Sequence, residues 1–568
     1  MVSDTMRKQA AAAGLAVLAA WLFGPLLTCV HVEGFSASMG SIALHMTHDQ
    51  LANYDRLFPF NLQFFAFSRL GTNLFLACLV GPLGLPAEWA LRVTMWTGFL
   101  CLAGGSWVLV RRWTGAPPLV VALLLILTPG VAETGFFYND NLLSAGLAVL
   151  SLALLSVSAR PWASLTAGAL FGYAVLARTD AMLLAPVAAL ILWRREGWSW
   201  RLVGHCAAFG AAAAGLASAI LAAFGQSPFG VLKIATHAVA LWGRRTGWWV
   251  QPMSILAFAG PISLGLAAVG LARLAWKREA YRLLLLAGAP LLYNLVYLGK
   301  VWEARQLAPL TPFIVAAAAI GFQAFDALRR RGGGLPMLVV VAATALVFVA
   351  RPAPMFDWEG PRAVLGRLWS PLHWYRWQAA TRASFGGVGE FVEHPPAADS
   401  AVVTDIWDAD RYVHLQLQEH GYRPIDLIAA APACAHIAEG FQRGATRIVH
   451  LRLHTPFVLD WRLRLAERFT DAAQPCLAAL GVKSVVMVTS LSRMDSLIGA
   501  ADSPWMARAR ARRSVYLDPL AGLTLTPAQQ ARLPDAFRRD AAKWLRDSPA
   551  DQAQLQAHPA ADDLSAVR

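Results

Sequence analysis

The sequence predicts a polytopic α-helical membrane protein of about eleven spans with a C-terminal exterior α/β domain, and three observations lead there. The 568 residues are 57% hydrophobic and only 15% charged, with a mean hydropathy of +0.47, whereas soluble chains run at roughly 25% charged. Disorder, a collagen-like rod and an ordinary cytosolic enzyme are therefore poor fits. The formal charge of +14 is also unevenly placed: residues 1–350 hold 24 basic and 12 acidic side chains, residues 351–568 hold 25 and 23. The excess lies among apolar segments, where loop charge sets membrane orientation, and not on an exposed basic face, so no nucleic acid partner is expected. Composition then changes near residue 350. Residues 1–350 form the transmembrane domain, and 351–568 form the exterior domain with a flexible tail.

A spanning helix needs about 20 mostly apolar residues. Eleven stretches qualify in order: 10–31, 88–110, 117–131, 141–158, 162–177, 180–193, 202–224, 252–272, 281–299, 306–326 and 335–350. The first is too long for a cleaved signal and reads as a retained anchor. With a cytosolic N-terminus, the inner loops hold 15 Lys and Arg in about 45 residues, against 8 in about 100 outer ones, which obeys the positive-inside rule. An odd number of spans then places 351–568 outside. Acidic residues lean the other way. Glu33, Asp49, Asp55, Glu88, Glu133, Asp140, Asp180 and Glu303 fall in outer loops or at outer helix ends, and ionisable groups near apolar spans tend to be functional.

The exterior part has short β-like runs at Ala401–Thr404, Arg447–Leu451 and Val482–Val488, with helical stretches such as 409–420 and 461–470 between them. Strands alternating with helices suggest an α/β domain. Cys434 and Cys476 both fall in it, a compartment that permits a disulfide.

There is no phosphate-binding G-x-x-x-x-G-K-[ST] loop, which disfavours an ATP-driven pump, and no C-x-x-C or H-E-x-x-H motif. The chemistry-bearing residues sit in outer loops. The first, 32–87, is long and contains His48-Asp49-Gln50, followed by an amphipathic stretch from Gln63 to Leu70 that fits a helix in the membrane interface. Asp49 is the candidate base, and a solvated turn acid is the plainer alternative. The second carries Tyr138-Asn139-Asp140 directly before a span; Asp140 is either an N-cap or a site acid. A short turn holds Arg178 and Asp180. The fourth loop holds Lys233, His237, Arg244 and Arg245. The fifth holds Glu303 and Arg305 before Pro309 and Pro312. The arginines could bind phosphate through their planar forks or snorkel to lipid head groups.

Taken in order, these parts resemble the C-type (GT-C) glycosyltransferase superfamily, whose members include protein O-mannosyltransferases and lipid A aminoarabinose transferases. The likeness rests on an acid in a long first outer loop (His48-Asp49) and a second acid opening the fourth span (Tyr138-Asn139-Asp140). It continues through a Gly-rich span leading to an Arg turn (Gly168, Arg178, Pro186) and a charged turn before a Pro-spaced span (Glu303, Arg305, Pro309, Pro312). It covers about residues 10–350 and departs from the usual pattern in two places. The first loop lacks the paired acid, and Gln306 stands where a Tyr follows the Arg.

The resemblance implies an inverting transferase that moves a sugar from a polyprenyl-phosphate donor to an acceptor hydroxyl on a lipid, glycan or protein. It implies a bacterial inner membrane protein with its C-terminal domain periplasmic. Asp49 and Asp140 would be catalytic, and His48, Tyr138, Asn139, Arg178, Lys233, Glu303 and Arg305 would bind substrate. A phosphate leaving group needs no general acid, only a base for the hydroxyl and cations for the departing anion. As ligands for a divalent metal ion, Asp49, His48, Asp140 and Glu133 are too few and too scattered to assign one. Two other readings remain from the residues: a lipid or sugar transporter or flippase, which would want ionisable groups near the membrane midplane, and a non-catalytic scaffold whose exterior domain binds a partner.

Overall fold

A computed structural model describes residues 31–32, 68–128, 130–131, 137–138, 140–232, 250–296 and 304–329, together with four strands between 400 and 488. Two two-residue strands, β1 (His31–Val32) and β2 (Phe137–Tyr138), pair in parallel. The helices are α1 (Leu70–Val80), α2 (Ala87–Thr114), α3 (Pro118–Ile126), α4 (Asp140–Val157), α5 (Pro161–Ala177), α6 (Ala185–Glu196), α7 (Trp200–Ala223), α8 (Val250–Trp276), α9 (Ala280–Leu283), α10 (Ala289–Val296) and α11 (Thr311–Arg329). Nine of the eleven expected apolar segments coincide with helical structure, while 10–31 and 335–350 lie outside the described residues. Among the described residues, four helical stretches are long and apolar enough to cross a membrane: Trp89–Thr114, Trp200–Ala223, Phe258–Trp276 and Gln306–Ala324.

Local chemistry sets the ends. Pro118 and Pro161 open α3 and α5, where a missing N–H costs nothing because that group has no helical partner. The Ser199 hydroxyl caps α7 by accepting from the Leu202 N–H at 3.3 Å, as expected of an N-cap serine. Gly115 closes α2 in the left-handed conformation at φ 65°, and Gly197 closes α6 at a positive φ of 63°, backbone that glycine adopts without a Cβ clash.

Four departures from the expected spans stand out. The first outer loop contains the apolar, partly buried α1. The segment expected from residue 180 begins as a 3₁₀ turn, Thr179–Leu184, before α6. α8 is broken at Gly260, whose φ of 71° precedes Pro261. A π-helical stretch, Leu284–Gly288, joins α9 to α10.

Small residues let the backbones approach, the usual device where lipid removes the hydrophobic drive between helices. A Cβ on Gly146 of α4 would overlap the Gly98 carbonyl oxygen of α2, and one on Gly168 or Gly172 of α5 would overlap the α7 carbonyls of Phe209 or Ala213. α4 and α5 form an antiparallel pair pinned by two buried hydroxyls. Ser144 Oγ donates to the Ala174 carbonyl at 2.9 Å, and Ser151 Oγ donates to the Ala167 carbonyl at 2.7 Å.

In the C-terminal part, β3 (Ser400–Thr404), β4 (Arg423–Asp426), β5 (Arg447–His454) and β6 (Ser484–Val488) form an all-parallel sheet in the order β4-β3-β5-β6. β3, β5 and β6 match the three expected runs. β4 contains Pro424, which lacks a donor and is tolerated because β4 is an edge strand. Cys434, Cys476 and the helical stretches expected at 409–420 and 461–470 lie outside the described residues.

Candidate functional site

The antiparallel α4–α5 pair defines two ends of the bundle. At one end are Asp140, which opens α4, and Arg178, which follows α5. α1 docks onto this end: Thr72 Oγ1 donates to the Ala177 carbonyl at 3.4 Å, and the Tyr173 hydroxyl donates to the Gly71 carbonyl at 2.8 Å. Arg69, just before α1, is buried, and its Nη1 donates to Ser68 Oγ at 3.0 Å and to the Ser68 carbonyl at 3.2 Å. α1, with Ser68 and Arg69 before it, is thereby fixed to the Arg178 turn.

That turn carries the charge chemistry. Arg178 Nε donates to Asp180 Oδ2 at 2.7 Å, and the two side chains are only 12% and 13% exposed. Such a charge-assisted bond is short and strong. Across the bundle, the buried Tyr293 of α10 turns its hydroxyl to the same carboxylate oxygen at 3.3 Å and to the Gln306 carbonyl at 2.9 Å. Gln306 lies in the 3₁₀ segment Ala304–Leu310, next to Arg305. One phenol therefore ties the Arg178–Asp180 turn to the backbone beside Arg305. Among the described residues, the buried Gln306 Oε1 accepts no hydrogen bond.

β1 and β2 add a second link. Val32, at the start of the first outer loop, lies opposite Tyr138, two residues before Asp140. The loop bearing His48 and Asp49 therefore begins beside the loop that leads into α4.

Of the residues proposed from sequence, Arg178 is placed with its side chain, in the pair with Asp180. Tyr138, Asp140 and Arg305 are placed by backbone alone. His48, Asp49, Asn139, Lys233 and Glu303 lie outside the described residues, as does Glu133. Sequence reasoning missed Tyr293, although a hydroxyl in an otherwise apolar run was a visible signal. It also gave no partner to Asp180 and no burial to Arg69. Among the described residues, no three His, Cys, Asp or Glu side chains gather as a metal site would require, and the expected ligands Asp49, His48 and Glu133 are not among those residues.

Apolar helices in close contact, with ionisable side chains gathered at the helix ends, define a polytopic helical membrane protein. No protein-family profile matches the chain, and no curated protein matches it. Among solved structures, it is similar to ArnT from Cupriavidus metallidurans bound to undecaprenyl phosphate, with a TM-score of 0.50 and 14% identity over 75% of this chain and 86% of that one. Apo ArnT from the same organism gives 0.48 at 14% identity, over 85% and 93% of the two chains. The oligosaccharyltransferase of Archaeoglobus fulgidus in the apo form gives 0.40 at 12% identity, over 78% and 69%. The ArnT likeness at 0.50 concerns the fold alone: this chain shares the polytopic helical fold of that membrane protein, and the fold is the one that the order of its loop motifs led us to expect.

Proposed function

We propose that this protein is a glycosyltransferase that moves a sugar from a polyprenyl-phosphate donor to an acceptor hydroxyl at the outer face of the membrane. The observation that carries this reading is the shared fold with ArnT, a protein solved with undecaprenyl phosphate bound. The chain's own residues support it: Arg178, Asp180 and Tyr293 meet where α5, α10 and the Arg305 segment converge.

In the reaction, the acceptor oxygen attacks the anomeric carbon from the face opposite the leaving group. The bond from that carbon to the phosphate oxygen breaks, and its electron pair leaves with the polyprenyl phosphate. The hydroxyl proton passes to a carboxylate, Asp49, with Asp140 as the second acid. His48, Tyr138, Asn139 and Glu303 contact the substrates. Arg178, Arg305 and Lys233 stabilise the departing phosphate, whose charge grows as the bond breaks. Asp180 holds the Arg178 guanidinium in place rather than meeting substrate.

The test is transfer of radiolabelled sugar from a polyprenyl-phosphate carrier by the purified full-length protein. Asp49→Asn should lower the rate at least about a hundredfold, the lower end of general-base contributions, with expression unchanged. A mutant as active as the parent removes Asp49 from the base role. Movement of the lipid-linked sugar across vesicles without transfer would indicate a carrier instead.

A further inference from the structure

The end of the bundle away from Arg178 holds a second charged concavity. A cavity of about 840 Å³ is lined by Arg112, Arg194, Arg195, Arg282, Glu279 and Tyr281, with Leu285 and Leu286 as an apolar wall. Arg195 fixes its position: Nη1 donates to the Leu155 carbonyl at 3.0 Å and to the Ser158 carbonyl, at the turn between α4 and α5. The 17 residues of α5 separate that turn from Arg178, about 25 Å at a helix's rise per residue. The cavity is thus distinct from the proposed transferase site, and its size suits a small ligand.

Its charge is only partly answered by protein carboxylates. Glu279 accepts from Arg282 Nη1 at 2.9 Å, and Glu196 accepts from Arg195 Nε at 2.6 Å. Among the described residues, no carboxylate pairs with Arg112 or Arg194. Arg194 instead lies over the Tyr281 ring, 5.4 Å from its centroid. Two further lining residues present buried polar atoms with no partner among the described residues, Arg195 Nη2 and Ser156 Oγ. Buried donors of that kind are ordinarily satisfied by an ion or a water. The positive-inside rule accounts for arginines at this end, but it requires neither a cavity nor a buried guanidinium N–H left without an acceptor.

We infer that this cavity is a phosphate-recognising site at the face opposite the proposed transfer chemistry, taking the phosphate of an anionic lipid head group or of a soluble phosphate ester. Guanidinium forks match phosphate oxygens two at a time. Arg112 and Arg194 supply charge, and Arg195 Nη2 with Ser156 Oγ supply fixed hydrogen bonds.

The test uses the full-length protein, delipidated in neutral detergent and examined by native mass spectrometry. It is titrated separately with phosphatidylglycerol, phosphatidylcholine and glycerol phosphate. Phosphatidylglycerol alone forming a stoichiometric adduct identifies the lipid head group as the source; glycerol phosphate binding as well identifies the phosphate ester itself. In either case the Arg112→Gln/Arg194→Gln variant should weaken binding at least tenfold. The variant Arg201→Gln/Lys277→Gln, which removes the same charge outside the cavity, should not. Both variants are first checked for an unchanged thermal midpoint, and the single Arg112→Gln replaces the double variant if that unfolds. Binding to none of the anions, or equal losses in the two charge-matched variants, overturns the proposal.

Discussion

Tyr293 is the residue on which the candidate site turns. Its single hydroxyl proton lies between the Asp180 carboxylate and the Gln306 carbonyl, so it couples the Arg178 turn to the segment carrying Arg305. Tyr293→Phe keeps the ring and removes that link, at a net cost of about 1 kcal/mol for one hydrogen bond. If the phenol positions the cationic side chains, the variant should fold and show a raised KM for the polyprenyl-phosphate donor, with little change toward the acceptor. A variant with altered acceptor dependence alone would separate Tyr293 from donor binding. Asp140 poses a different question, because the first residue of α4 can serve as a helix cap or as a site acid. Capping is satisfied by Asn or Ser, with stability changing by about 1 kcal/mol or less. A site role requires the charge, so Asp140→Asn should keep its thermal midpoint and lose transfer. An active Asp140→Asn enzyme returns the residue to capping.

At the scale of elements, the bundle is assembled through small-residue contacts, and these can be tested against a matched control. Gly146 of α4 packs on the Gly98 carbonyl of α2, whereas a Cβ on Gly104 of the same α2 meets nothing within 4 Å. Gly146→Val should therefore destabilise the detergent-solubilised protein by about 1–3 kcal/mol, the usual cost of overpacking, and Gly104→Val should leave the thermal midpoint nearly unchanged. Equal effects from both would mean that helix propensity, not packing, sets the response. Most of these helices were legible in the sequence because apolar runs end at prolines, glycines and paired arginines: Arg111-Arg112 closes α2, Pro161 opens α5, and Arg194-Arg195 closes α6. The π-helical stretch before α10 left no such mark, since Leu284-Leu285-Leu286 reads equally well as regular helix. α1 was hidden for a different reason: at 11 residues it is too short to read as a span. The site was less legible than the helices. Asp180 and Tyr293 are 113 residues apart in the chain, and nothing local to either announces the other. β4 was not among the expected runs, and its Pro424, which lacks a ladder donor, is accommodated because the sheet order puts β4 at an edge.

For the whole molecule, direction in the membrane decides what each charged end can meet. α4 and α5 run antiparallel, as Ser144 with Ala174 and Ser151 with Ala167 require. The Arg178 turn and the Arg195 turn therefore belong to opposite faces. We propose, from the bias of basic residues toward the loops of Arg111, Arg194 and Arg282, that the Arg195 face is the cytosolic one. On that proposal a polyprenyl-phosphate donor would be used on the other side, and the inferred phosphate cavity would face the inner leaflet. The segment 335–350 must cross for residues 351–568 to share the compartment of the transfer chemistry. Reporter fusions test each step of this argument. Fusions in the Gly197–Ser199 turn and after residue 331 should both report the cytosolic side, and a fusion after residue 360 should report the opposite one. If the fusions after 331 and 360 agree with each other, 335–350 does not cross and the C-terminal sheet lies on the Arg195 side, out of reach of an outer-face acceptor. If the 197–199 and 331 fusions disagree, the count of crossings between α6 and α11 is wrong, and the two charged ends must be reassigned before either site is tested further.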